Sequence, residues 1–368
     1  MFRIPLIKPF VPDELKEKVC DILDSGYLTE GPVTREFEQA IAEKVGAAHC
    51  LAVTSCTTGL ELALRAVGVG PGDEVIVPDY TYPATASVVN IVGATCVIVD
   101  VDPQTMLIDY DALESAVTPR TKAVIPVSLF GNPLDWDRLN ALKKAYGLIM
   151  VEDAACALGS SYGGTMTGAL ADISVFSHHP RKFITTGEGG TVTTDNDNWA
   201  EWMESYKHFG MQGNSSRLGC EFVQAGTNYK LSDVLSGIGV AQLRYIDELL
   251  TERRALATFY MESFAGCEAV SLPKITQSGE HSWQTMCVFV EDRNRVMETM
   301  RSQGIEVQIG TYSLSMHRAF NQSPDCRIMG EMTGSSYAFN HALALPLYHG
   351  MTEAEQVEVI EVLKDVVG

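Results

Sequence analysis

Seven short apolar runs, with helical stretches between several of them, constrain this chain more than any other feature. The runs are "CLAVTS" (50–55), "EVIVP" (74–78), "CVIVDVD" (96–102), "KAVIPVSLFG" (122–131), "LIMVED" (148–153), "DISVFS" (172–177) and "GTVTT" (190–194). They read as continuous rather than alternating, which is the pattern of strands covered on both faces. Stretches such as "TGLELALRAVG" and "DWDRLNALKKAYG" carry helical spacing, the second ending on a glycine stop. Strand and helix in turn predict an α/β fold: a large domain with a mostly parallel, seven-stranded sheet flanked by helices.

The texture changes after Leu231. "LSDVLSGIGVAQLRYIDELLTERRALATFYMESFAG" reads as one or two long helices, followed by "SWQTMCVFVE" (strand), "NRVMETMRSQG" (helix), "IEVQIGTY" (strand) and a last helix, "TEAEQVEVIEVLKDVVG". A chain of 368 residues exceeds the usual size of one small core. The expectation is a large domain over 1–246 and a small C-terminal α+β domain over 247–368, with segment 1–30 packed outside the sheet.

Composition narrows the function classes. Lys+Arg number 27 and Asp+Glu 47, a net charge of −20 that argues against general nucleic-acid binding. Nine cysteines spread singly, without a CxxC pair, argue against a disulfide framework and against a zinc site. No apolar run approaches a membrane span, and "MFRIPLIKPF" is too short and too proline-broken for a signal peptide. The expected location is the cytoplasm.

Ligands of parallel sheets bind beyond the carboxyl ends of the strands, so the loops that follow the strands carry the most information. In "EDAAC", Asp153 ends an apolar strand, where it either caps the next helix or faces a buried cation such as a protonated pyridine nitrogen. "SCTTG" opens a helix with hydroxyls and free backbone N–H groups, suited to a phosphate or to a simple cap by Ser55 or Thr57. Tyr82 in "TYPAT" is core or a plate for a flat ring. "FSHHPRKFITTGEGG" (176–190) places Lys182 five positions beyond Ser177. Adjacent His178 and His179 diverge and lack a third ligand, so a metal site is a poor reading. A solvated basic patch is the bland alternative to a lysine that attacks a carbonyl and forms a Schiff base. Together the four loops offer what pyridoxal 5′-phosphate requires: a phosphate cradle, an aromatic plate, a carboxylate for a ring nitrogen and a lysine.

On these residues the chain resembles the DegT-type nucleotide-sugar aminotransferases, a branch of the fold-type I pyridoxal phosphate enzymes. The likeness runs from "LTEGPVTREFEQAIAEKVG" through "SCTTGLELAL", "VPDYTYPATA", "VEDAACALGSSYGG", "FSHHPRKFITTGEGG" and "GTNYKLSD" to "LALPLYHGMTEAE". The resemblance implies that Lys182 is the Schiff-base lysine and proton shuttle, and that Asp153 partners the pyridine nitrogen. It implies that Tyr82 stacks on the ring and that Ser177, with the Cys56–Thr57 turn, grips the phosphate. Asn228 matches a residue that reaches the phosphate from a neighbouring subunit, which implies a homodimer with shared sites. Three positions depart from the family's habit. Cys156 replaces a glutamine or histidine near the cofactor's phenolic oxygen, and a thiol is a weak donor. His178 replaces phenylalanine. Lys230 replaces arginine, a point charge in place of a fork.

The implied reaction is transamination of a nucleotide-linked keto-sugar, with L-glutamate as donor, giving an amino sugar for polysaccharides or secondary metabolites. His179, Arg181, Lys230, Tyr312 and His317 are the candidate substrate contacts, with Lys207 and His208 as further basic residues that could face the substrate. Dehydratases on the same scaffold carry histidine where this chain has Lys182, and a non-catalytic regulator would lack the lysine or the aspartate. Both residues are present here.

Overall fold

The computed structural model describes residues 2–213 and 219–368. Among these, eight strands form one sheet in the spatial order His49–Val53, Gly190–Thr194, Ile173–Ser177, Ile149–Asp153, Thr121–Val124, Glu74–Pro78, Thr95–Val99 and Cys326–Met329. All seven expected strands are in it. Gly190–Thr194 runs antiparallel to both neighbours, and the other pairings are parallel. The run 122–131 is a strand only over Thr121–Val124 and ends in a 3-10 turn at Leu129–Gly131. Pro126 lacks the N–H that would continue the ladder, although its carbonyl still accepts from the Asp153 amide at 3.0 Å.

The eighth strand comes from far along the chain. Cys326 and Ile328 pack on the same apolar cluster as Cys96 and Ile98, their partners in register on Thr95–Val99. Arg327, between them, reaches Glu74 at 2.9 Å, and Arg120 reaches the same fully buried carboxylate at 2.5 Å. Four residues, half of them polar or small, carry too weak a pattern to stand out as a strand.

Helix Cys56–Ala66 lies across the sheet and fully buries Leu60, Leu62 and Leu64, worth about 1.5–3 kcal/mol each. Gly59 permits that approach, since a Cβ there would stand 2.6 Å from Val175 Cγ1. A second, antiparallel sheet has the order Val270–Ser271, Met286–Val290, Ala342–Leu345, Gln308–Ile309. Ala257, Tyr260 and Phe264 of helix Ile246–Phe264 and Val359, Ile360 and Leu363 of helix Glu353–Val367 share its apolar cluster. Ile4, near the start of the chain, is buried in that cluster too. The stretch after Leu231, read as one or two long helices, forms two, Asp233–Leu243 and Ile246–Phe264.

Candidate active site

Parallel strands Ile149–Asp153 and Ile173–Ser177 end side by side, with Asp153 in register with Val175. Their carboxyl ends and the N-terminus of helix Cys56–Ala66 open on one cavity of about 710 Å³, within the range of small-molecule sites. Ten of the thirteen candidate residues line it: Cys56, Thr57, Tyr82, Asp153, Cys156, Ser177, His179, Arg181, Lys182 and Tyr312.

Asp153 is 4% exposed. Thr85 donates to its Oδ2 at 2.8 Å, and the Ala155 amide to its Oδ1 at 3.2 Å. Burial raises the carboxyl's pKa, and these donors, with Lys182, oppose the rise. Lys182 follows a tight turn closed by its own amide on the His179 carbonyl at 2.8 Å. Its Nζ donates to Cys156 Sγ at 3.0 Å. Burial works against the ammonium, but Cys156, Cys56 and Asp153 together hold its pKa above the ordinary lysine value.

At the third wall, Ser55 caps helix Cys56–Ala66. Its Oγ accepts from the Thr58 amide at 3.1 Å, and Thr58 Oγ1 accepts from the Ser55 amide at 3.1 Å. The amides of Cys56 and Thr57 stand in the first turn, where no partner exists inside the helix. Gly190 leaves room beside them: a Cβ there would lie 2.7 Å from the Cys56 nitrogen. A glycine-floored helix N-terminus suits a phosphate. With a buried carboxylate at one strand end and a half-buried amine in the loop after the neighbouring strand, the donor set fits a flat cationic ring bearing a phosphate arm and an aldehyde. Pyridoxal 5′-phosphate has those three features.

Two residues that sequence reading did not single out hold this arrangement. Thr85, within the quoted "TYPAT", supplies the hydrogen bond to Asp153. Gln284 is 4% exposed and brackets Lys182, accepting from the Phe183 amide at 2.9 Å and donating to the Arg181 carbonyl at 2.6 Å. A helical-turn spacing from Thr81 is the sole local hint for Thr85, and Gln284 has none.

Tyr82 is 64% exposed at the cavity, with its ring centroid 6.3 Å from that of Tyr312. His317 meets the Tyr312 ring edge-on at 5.7 Å without lining the cavity itself. Asn228 and Lys230 also stand off the cavity wall, joined by Lys230 Nζ donating to Asn228 Oδ1 at 2.7 Å. Among the further basic residues, Lys207 is a structural lysine. It is fully buried against Glu30 (2.9 Å), Glu38 (3.2 Å) and Glu204 (2.9 Å). Burial opposes its charge, but the carboxylates outweigh burial and raise its pKa. His208 ends the same helix, away from the cavity lining. The two adjacent histidines part company: His179 opens on the cavity, whereas His178 is buried against Thr191 Oγ1 at 3.0 Å, with its pKa pushed down by burial to about 4.

A model of the DegT/DnrJ/EryC1/StrS aminotransferase family matches residues 11–364. The spore coat polysaccharide biosynthesis protein SpsC of Bacillus subtilis is 33% identical over 377 residues, covering 99% of this chain and 97% of that protein. Among solved structures, Spr1654 from Streptococcus pneumoniae, assigned as a sugar aminotransferase, superposes in its PMP-form with a TM-score of 0.92 at 31% identity, over 99% of both chains. Its PLP-form gives 0.91 at 31% identity, over 99% of this chain and 98% of that one. The sugar aminotransferase CalS13 from Micromonospora echinospora gives 0.92 at 27% identity, over 98% of this chain and 99% of that one. The chain belongs to the DegT/DnrJ/EryC1/StrS aminotransferase family.

Proposed function

We propose that this chain uses pyridoxal 5′-phosphate to move an amino group from L-glutamate onto a keto-sugar carried by a nucleoside diphosphate. The observation that carries the reading is that Asp153, at the end of strand Ile149–Asp153, and Lys182, in the loop after the adjacent parallel strand Ile173–Ser177, line one cavity. Bound pyridoxal phosphate supplies an aldehyde that captures amines and a cationic ring that draws off the electron pair of a breaking C–H bond. Asp153, held by Thr85, keeps the ring nitrogen protonated. Ser177 and the first-turn amides of Cys56 and Thr57 hold the phosphate, and Tyr82 covers the ring. Lys182 Nζ takes the proton from the donor's α-carbon and returns one to the sugar carbon that gains nitrogen. Arg181 and His179, the other basic groups on the cavity, are the contacts for acidic parts of donor and acceptor, with Tyr312 beside the sugar.

The reading includes a homodimer. Tyr27, Leu28, Phe209, Phe222 and Val223 leave large apolar side chains exposed, and a partner would cover them. Asn228 and Lys230, off the cavity of their own chain, are then available to the partner's site. Light scattering on the purified chain checks this, and a monomer at working concentration refutes it.

The decisive experiment incubates the chain with pyridoxal phosphate, glutamate and a panel of nucleoside-diphosphate keto-sugars, read by mass. An amino-sugar product is expected from the wild type and none from Lys182→Ala. Turnover by Lys182→Ala would refute the assignment. A product that loses oxygen without gaining nitrogen would place the chain with the dehydratases.

A further inference from the structure

The amine of Lys182 is released from the cofactor during each half-reaction, if the reading above is right, and must then stay within reach. Among the described residues its side chain makes one hydrogen bond, to Cys156 Sγ at 3.0 Å. Cys156 sits in the turn just beyond Asp153, and hydrogen bonds fix that turn. The Ala157 amide closes it on the Ala154 carbonyl at 2.8 Å, and Ser282 Oγ donates to the Cys156 carbonyl at 3.2 Å. The other thiol at the site does a different job: Cys56 Sγ faces Asp153 Oδ1 at 3.9 Å and the Val175 carbonyl at 3.8 Å.

We infer that Cys156 is a positioning residue: its sulfur holds the free amine of Lys182 against the cavity wall between the two halves of the reaction. A side chain whose amine is placed by about four rotatable bonds loses its useful geometry when unanchored, and a fixed acceptor on a hydrogen-bonded turn restores it. The sulfur also affects the proton. Burial works to strip the ammonium, and Cys156 comes first among the groups that oppose it, ahead of Cys56 and Asp153. His179, on the lysine's own loop, also faces it. Without Cys156, burial meets less opposition, and Lys182 gives up its proton at lower pH.

The test uses the full chain, stripped of cofactor and refilled with pyridoxal phosphate from pH 6 to 10, with uptake followed by absorbance. The neutral amine is the nucleophile, so uptake by the wild type rises with pH. In Cys156→Ala the rise is displaced to lower pH, making uptake faster by about threefold or more at pH 7.5. Cys156→Ser keeps an acceptor of similar size and falls between the two. A second measurement needs no cofactor: acylation of Lys182 in the stripped chain, quantified by peptide mass, follows the same order. Equal pH dependence in Cys156→Ala and wild type, or a serine variant displaced further than alanine, overturns the inference. A wild type that takes up no pyridoxal phosphate, with acylation still displaced, brings down the cofactor reading and leaves the lysine–cysteine pairing standing.

Discussion

Thr85 shows how much of this site depends on single hydrogen bonds. Asp153 is buried, and burial favours its protonated form; the Thr85 hydroxyl at 2.8 Å is foremost among the groups opposing that. A hydrogen bond to a charged group contributes about 1.5–3 kcal/mol. Thr85→Val keeps the shape and removes the donor. The Asp153 carboxyl then keeps its proton to higher pH, so the acid limb of the rate profile moves up, and kcat/KM at pH 7 falls by about tenfold or more. An unchanged profile would show that Thr85 only fills space. Asp153 was legible in the sequence because a charge at the end of an apolar strand stands out, and Lys182 because its loop joins three others that together suit one cofactor. Thr85 was not, because a threonine in a helix turn is unremarkable until the strand opposite it is known.

The lysine loop between strands Ile173–Ser177 and Gly190–Thr194 borrows its rigidity from elsewhere. Gln284 clamps Arg181 and Phe183, the residues flanking Lys182, and Arg253 in turn donates to the Gln284 carbonyl at 2.9 Å. Gln284→Leu leaves the buried Phe183 amide and the part-buried Arg181 carbonyl unpaired, at about 1–3 kcal/mol for the amide and somewhat less for the carbonyl. The expected result is a drop of about 2–5 kcal/mol in unfolding free energy by urea titration, together with slower uptake of pyridoxal phosphate. Loss of stability with unchanged uptake would show that the clamp serves the fold alone. Local pattern predicted the elements on either side of this contact. It was silent on the contact, which joins residues about a hundred positions apart. The same silence applies to Cys326–Met329, recognisable as a strand only beside Thr95–Val99.

Across the molecule, buried charge sets the response to pH. Glu152 is fully buried between Ser128 at 2.6 Å and Ser174 at 2.8 Å, and burial raises its pKa from an ordinary 4.5 to about 7. Between those values the native state keeps a proton that the unfolded chain has lost, so stability is full below about pH 4.5 and declines as pH rises towards 7. Relative to Glu152→Gln, the wild type loses about 3 kcal/mol between pH 4.5 and 8. Urea titrations at both pH values check this, and parallel pH slopes for the two proteins would refute it. Lys207 teaches the complementary lesson. In the sequence it is one more basic residue near the candidate loops, yet it is sealed among Glu30, Glu38 and Glu204, while Lys182 faces the cavity. Strand runs, helix spacing and the residues that follow each strand are local properties, repeating every two or 3.6 residues, and they were enough to specify seven of the eight strands and the loops that follow them. Which lysine is walled in, which hydroxyl reaches Asp153 and which sulfur meets the free amine follow from the order in which strands lie side by side. That order brings together residues far apart along the chain, and no local periodicity encodes it.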